Sequence, residues 1–113
     1  MIGGQVRRSF HCTAGQAAIE AISRLHVDKL FLSAEAVHPD GLSTTGMEQA
    51  ALKSALIASA DRVILLADSM RLNRRAFVRF AGLEQVQALI TDSRADPALI
   101  AQIVERGVEV EQV

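Results

Sequence analysis

The chain has 113 residues, 50% of them apolar and 22% charged, which is the make-up of one globular domain and excludes both a disordered tail and a two-domain protein. Its formal net charge of −1, with acids and bases spread along the chain, excludes the accumulated Lys and Arg on which phosphate-backbone binding rests, so no direct nucleic-acid binding by this chain is expected. A single cysteine, Cys12, excludes an internal disulfide and fits a reducing compartment. No apolar run approaches the ~18–20 residues of a membrane span, and Met1-Ile2-Gly3-Gly4 does not open like a signal peptide, so a cytoplasmic protein with no membrane association is expected.

In chain order, Ile2 reads as the end of a strand and Gly3-Gly4 as a turn. Thr13 to Leu25 is helical, with Thr13 as N-cap and Ala14, Ala17, Ala18, Ile22 and Leu25 on one side. Val27 to Ala34 reads as a strand, followed by turn chemistry at Pro39 and Asp40-Gly41. The next helix is predicted from Thr45 to about Ala60. Thr45-Gly46-Met47-Glu48 fits a capping box, and five alanines in the body let the helix lie close on a sheet.

Arg62 to Ala67 is predicted as the central strand. Val63 to Ala67 is an unbroken apolar run, the pattern of a strand buried on both faces in a parallel sheet. Polar residues follow it at once: Asp68, Ser69, Arg71, Asn73, Arg74 and Arg75. Arg74 and Arg75 are expected in a solvated loop, with a phosphate clamp as the alternative. Ala76 to Ala81 reads as a helical turn whose Phe77 and Phe80 cover the sheet, and Ala88 to Thr91 as a second buried strand ending in Asp92-Ser93. In the last helix Asp96 is the N-cap and Pro97 the first helical residue. Ile100, Ile103 and Val104 form its stripe, Gly107 ends it, and Val108 to Val110 is a final strand. Strands alternating with helices predict an α/β fold, a mostly parallel sheet flanked by helices with right-handed crossovers.

In such sheets ligands collect beyond the carboxyl ends of the strands. Three strand ends carry chemistry there: Glu35, His38 and Asp40 with the helix start at Ser43-Thr44-Thr45-Gly46; Asp68, Ser69 and Arg71; and Thr91 with Asp92. If the strands are parallel and adjacent, these groups share one rim. A helix start with hydroxyls and a nearby Arg suits an anion, and the carboxylates suit sugar hydroxyls. The plain alternatives are that Thr44, Thr45 and Glu48 only cap a helix and that Asp68-Ser69 only closes a strand. His11, His26 and His38 lack ligand spacing among themselves and with Cys12, so no metal site is expected; there is no Gly-rich phosphate loop, and no cofactor is implied.

Phe31-Leu32-Ser33-Ala34-Glu35-Ala36-Val37, Gly41-Leu42-Ser43-Thr44-Thr45, Glu48, Lys53, Leu65-Leu66-Ala67-Asp68-Ser69-Met70-Arg71 and Ile90-Thr91-Asp92 come in an order and at spacings that resemble the effector-binding domain of DeoR-type bacterial transcriptional regulators. The resemblance runs to Gly107-Val108-Glu109-Val110. It implies a fold similar to ribose-5-phosphate isomerase and the CoA-transferase-like proteins. It also implies a sensor that binds a phosphorylated sugar or related metabolite and so modulates operator binding by a separate winged helix-turn-helix. The ligand-binding residues it points to are Arg71, Thr44 and Thr45 for anionic oxygens, Glu35, Asp40 and Asp68 for hydroxyls, and Lys53 for added charge. Ala36, His38 and Arg71 depart from the Gly, Asp and Lys usual in the family.

The family's upstream strand, Gly/Thr-rich loop and DNA-binding domain are not in this sequence. Residues 1–113 are therefore expected to form a single, partial effector-binding and oligomerisation domain, with a homo-oligomer as the expected assembly. Two other functions are open to the same residues. A sugar-phosphate isomerase would need a carboxylate base and a carbonyl-polarising group, and Arg71 is a poor proton shuttle because guanidinium stays protonated. A structural remnant would associate through an uncovered sheet without binding a ligand.

Overall fold

The computed structural model describes residues 7–113, with side chains from residue 15 onward. The expectations for Ile2 and Gly3-Gly4 lie outside the described residues.

Helix α1 (Arg7–Ser23) is followed by β1 (Val27–Ser33), β2 (Ala36–His38), β3 (Gly41–Thr44), α2 (Met47–Ala58), β4 (Ala60–Leu66), β5 (Val78–Ala81), β6 (Ala88–Thr91), α3 (Pro97–Glu105) and β7 (Glu109–Gln112). Four strands form a parallel sheet in the order β1-β4-β6-β7, with Leu30 beside Val63, Leu65 beside Leu89 and Leu89 beside Val110. This is the mixed α/β architecture that the alternation of elements predicts. A second, antiparallel sheet in the order β2-β3-β5 was not expected. It is a hairpin around Pro39-Asp40 plus a returning strand, and α2 packs against it, with Ser54 Oγ donating to Phe80 O at 2.8 Å.

One core joins the layers. Leu32, Val63, Leu65 and Leu89 from the parallel sheet meet Ala50 and Ile57 of α2, Leu99 and Ile103 of α3, and Val37, Leu42 and Phe80 of the second sheet. The period-two pattern of β4 decides which side is inside. Val63 and Leu65 are buried, whereas Ile64 is half-buried and Leu66 is exposed. Among the described residues the central strand is thus covered on one face and not on both. Phe31, Ile64, Leu66 and Ile90 form the opposite, open face.

Four local expectations are corrected. The first helix begins at Arg7 rather than at Thr13, and its half-buried side is Ala18, Ile19 and Ile22, while Ala17 and Leu25 are exposed. Helix α2 has Gly46 as N-cap with no side-chain cap, so the Thr45–Glu48 capping box does not form; Thr45 is engaged elsewhere, as described below. Ala76 to Ala81 is not a helical turn. Val78 and Phe80 point inward and Phe77 and Arg79 outward, the alternation of a strand, and Phe77 is left 82% exposed. In α3 the buried pair is Leu99 and Ile103, with Val104 exposed, whereas the Asp96 cap and Pro97 start stand as expected.

Candidate functional site

Because β1, β4 and β6 are adjacent and parallel, the residues after them emerge side by side. A cleft of about 290 Å³ opens at this edge, lined by Ser33, Ala34 and Glu35 after β1, Leu66, Ala67 and Asp68 after β4, Arg71, and Lys53 from α2. Each charged group is held by its own chain segment. Asp68 caps the short 3-10 turn Ser69–Arg71 by accepting from the Met70 N–H at 3.0 Å, which sets the position of Arg71. Lys53 Nζ donates to Ser33 O at 2.8 Å and lies 5.5 Å from the centroid of the Phe80 ring, a cation–π distance.

Glu35 is the most heavily bonded member. Its Oε1 accepts from Thr44 Oγ1 at 2.5 Å and from both the amide and the hydroxyl of Thr45 at 3.1 Å. These three donors, the Thr44 hydroxyl foremost, hold the carboxyl below its ordinary range, with Lys53 adding a smaller push in the same direction. Thr44 is fully buried, and its one hydroxyl proton goes to Glu35, with Gln49 Oε1 a longer contact at 3.3 Å. The hydroxyls that the sequence offered to an anion are therefore turned toward the carboxylate of Glu35.

The third strand end closes the same edge. Asp92 Oδ2 accepts from the Ser69 N–H and Oδ1 from the Arg94 N–H, each at 2.8 Å, and these bonds keep its carboxyl below the usual range. This ties the loop after β6 to the one after β4. Thr91 is buried, and its hydroxyl has no partner among the described residues.

Of the sequence-derived site residues, Glu35, Lys53, Asp68 and Arg71 line one cleft, and Thr44 and Thr45 adjoin it through Glu35. Asp40 is elsewhere. It sits at the hairpin tip and lines a second cleft with Arg75, Arg79 and Arg106. Arg75 lies exposed in the loop before β5, as expected, and bonds the Asp40 carboxylate from there. At the far, amino-terminal end of the sheet, His26 Nε2 lies 2.9 Å from Asp61 Oδ2, and with Asp28 these exposed residues place one ligand atom each within 4.8 Å of one another. Sequence spacing gives no sign of that grouping, because Val27 and Ala60 become neighbours only through β1–β4 pairing.

Residues 1–93 match the family described as the DeoR C-terminal sensor domain. The chain belongs to that family. The DeoR sensor domain described above is 35% identical over 111 residues to the HTH-type transcriptional regulator GlpR of Haloferax volcanii, covering 97% of this chain and 44% of that protein. It is 39% identical over 102 residues to the HTH-type transcriptional regulator YulB of Bacillus subtilis, covering 88% and 39%. With the HTH-type transcriptional repressor GlcR of the same organism it shares 29% over 110 residues, covering 97% and 43%. The chain spans less than half the length of each of these relatives. Their names are those of transcriptional regulators and not of enzymes, in keeping with a regulatory sensor domain. Among the described residues no helix is long and apolar enough to cross a membrane.

Proposed function

We propose that this sensor domain serves a transcriptional repressor and takes a phosphorylated sugar or related metabolite in the cleft beyond β1 and β4. The observation that carries the reading is the gathering of Arg71 and Lys53 with Glu35 and Asp68 along one lip, cations for a phosphate beside carboxylates for hydroxyls. Arg71 offers a fork of donors matched to phosphate oxygens, and Lys53 a point charge. Thr44 and Thr45 act on the ligand through Glu35, whose orientation they fix. Ligand held between the loops after β1 and β4 would then bias the arrangement of those loops, the usual route from effector to a distant DNA-binding unit.

The test is a thermal-shift titration with ribose 5-phosphate and other sugar phosphates, with the unphosphorylated sugars as controls. At about 100 times Kd, linkage contributes about 2.7 kcal/mol, a Tm rise of roughly 10 °C for a domain of this size. Arg71→Glu is expected to abolish the rise. Equal stabilisation of wild type and variant would remove Arg71 from the site.

We also propose that the open face of the parallel sheet meets a second copy of the chain. Phe31 is 61% and Leu66 42% exposed there, and large apolar side chains side by side on one sheet face suit a protein contact. Lys29 on β1 and Glu109 and Glu111 on β7 stand at opposite margins of this face. A two-fold axis along the strands sets those opposite charges against each other, as an isologous interface requires.

A further inference from the structure

We propose that the second cleft, at the tip of the β2–β3 hairpin, is a separate binding site for a small dianion of the phosphate type. It measures about 430 Å³ and shares no lining residue with the cleft beyond β1 and β4. Three guanidiniums reach it from three different parts of the chain: Arg75 from the loop before β5, Arg79 from β5 and Arg106 from the end of α3. Against them stand the carboxylates of Asp40 and Glu84, which leave one positive charge over, with His38 as a further lining group.

Two of the guanidiniums are fixed by one residue. Arg75 donates to the Asp40 carboxylate, and Arg79 Nη1 donates to the Asp40 carbonyl at 2.8 Å. Asp40 is itself fixed, since its N–H donates to His38 Nδ1 at 3.0 Å. That bond leaves Nε2 as the protonated nitrogen of a neutral His38 ring, a further donor. Gly41 shapes the wall beside it. Its φ is +146°, and a Cβ there would lie 3.0 Å from Arg79 Cδ, so the absence of a side chain lets the Arg79 stem run along the hairpin. The Arg106 guanidinium makes no hydrogen bond or ion pair among the described residues, although its charge helps to hold the Asp40 carboxyl low, after the larger effect of Arg75.

Each guanidinium carries five N–H donors. Arg75 and Arg79 spend one each on Asp40, and Arg106 none, so most of the donor capacity around the cleft is uncommitted. A tetrahedral dianion has three terminal oxygens to accept from three such forks, and charge-assisted bonds of this kind are the strong ones. A single carboxylate has two, which favours phosphate.

Backbone amide shifts in an NMR titration with inorganic phosphate, against sodium chloride at equal ionic strength, decide the matter. Saturable shifts are expected at Gly41, Ser43, Ala76 and Glu84, retained in Arg71→Glu and weakened at least tenfold in Arg106→Ala and in Arg79→Ala. Arg106 and Arg79 are both exposed, so both variants are expected to fold, and their unperturbed spectra check it. Shifts confined to Ser33–Glu35 and Asp68–Arg71, equal shifts with chloride, or an unchanged Kd in Arg106→Ala would each overturn the site. Loss of the sugar-phosphate response in Arg71→Glu with these shifts intact separates this cleft from the one beyond β1 and β4.

Discussion

Glu35 shows how one carboxylate organises a loop. It collects the Thr44 hydroxyl and both donors of Thr45, and its folded pKa falls below the ordinary 4.5 as a result. Asp92, below its ordinary 3.8, does the same for the amides of Ser69 and Arg94. A carboxyl whose folded pKa is depressed contributes stability that is complete above its unfolded pKa and is lost as pH falls through the folded one. The Tm of the wild type is therefore expected to drop as pH is lowered below about 5. In Glu35→Gln, which keeps an acceptor but has no charge to lose, the acid limb is expected to be shallower. Parallel acid limbs in Tm measured against pH would show that Glu35 contributes nothing of this kind.

At the scale of elements, the β2–β3 hairpin holds both clefts in place. Its tip carries Asp40, its second strand carries Thr44, and Val37 bridges to Leu72 in the loop after β4. The hairpin closes through Gly41, where an added Cβ would sit 2.3 Å from the Ala81 carbonyl on the neighbouring strand. Gly107, at φ +93°, ends α3 with nothing within 4 Å of such a Cβ. Gly107→Ala thus bears only the backbone cost of an unfavourable φ, about 1–3 kcal/mol. Gly41→Ala adds a clash with backbone to a backbone cost of about 1–3 kcal/mol, and is expected to be clearly the more destabilising of the two. Denaturant unfolding of both variants measures the difference, and equal midpoints would mean that the hairpin can shift away from β5.

For the whole molecule the question is what the parallel sheet does with its second face. Helices α2 and α3 bury one side, and the side bearing Phe31, Ile64, Leu66 and Ile90 stays open among the described residues. Burying it against a second copy would remove apolar area worth about 25 cal/mol per Å². Sedimentation of the wild type is expected to show a dimer at micromolar concentration, and Phe31→Ser with Leu66→Ser a monomer with its fold retained. A wild type that stays monomeric, or a double variant that still dimerises, would rule out this face as the contact.

What the sequence determined by itself is what depends on neighbours along the chain. The apolar run of β4, the short β6, the Asp96-Pro97 start of α3 and the turn at Pro39-Asp40 are all local, and each is where the sequence places it. The order of polar residues after β1, β4 and β6 was equally legible, and with it the edge that carries the first cleft. The second sheet was not, because β2, β3 and β5 have three or four residues each and too few repeats to show a period; only the alternation of Phe77, Val78, Arg79 and Phe80 hinted at it. Tertiary structure alone decided three further things. Thr45 serves Glu35, 10 residues back, rather than capping α2, since a charged acceptor outcompetes a local cap. Asp40 turns to Arg75, 35 residues on, and leaves the first cleft for the second. Among the described residues the apolar run of β4 is covered on one side only, because what lies over a strand is set by distant segments and not by the strand.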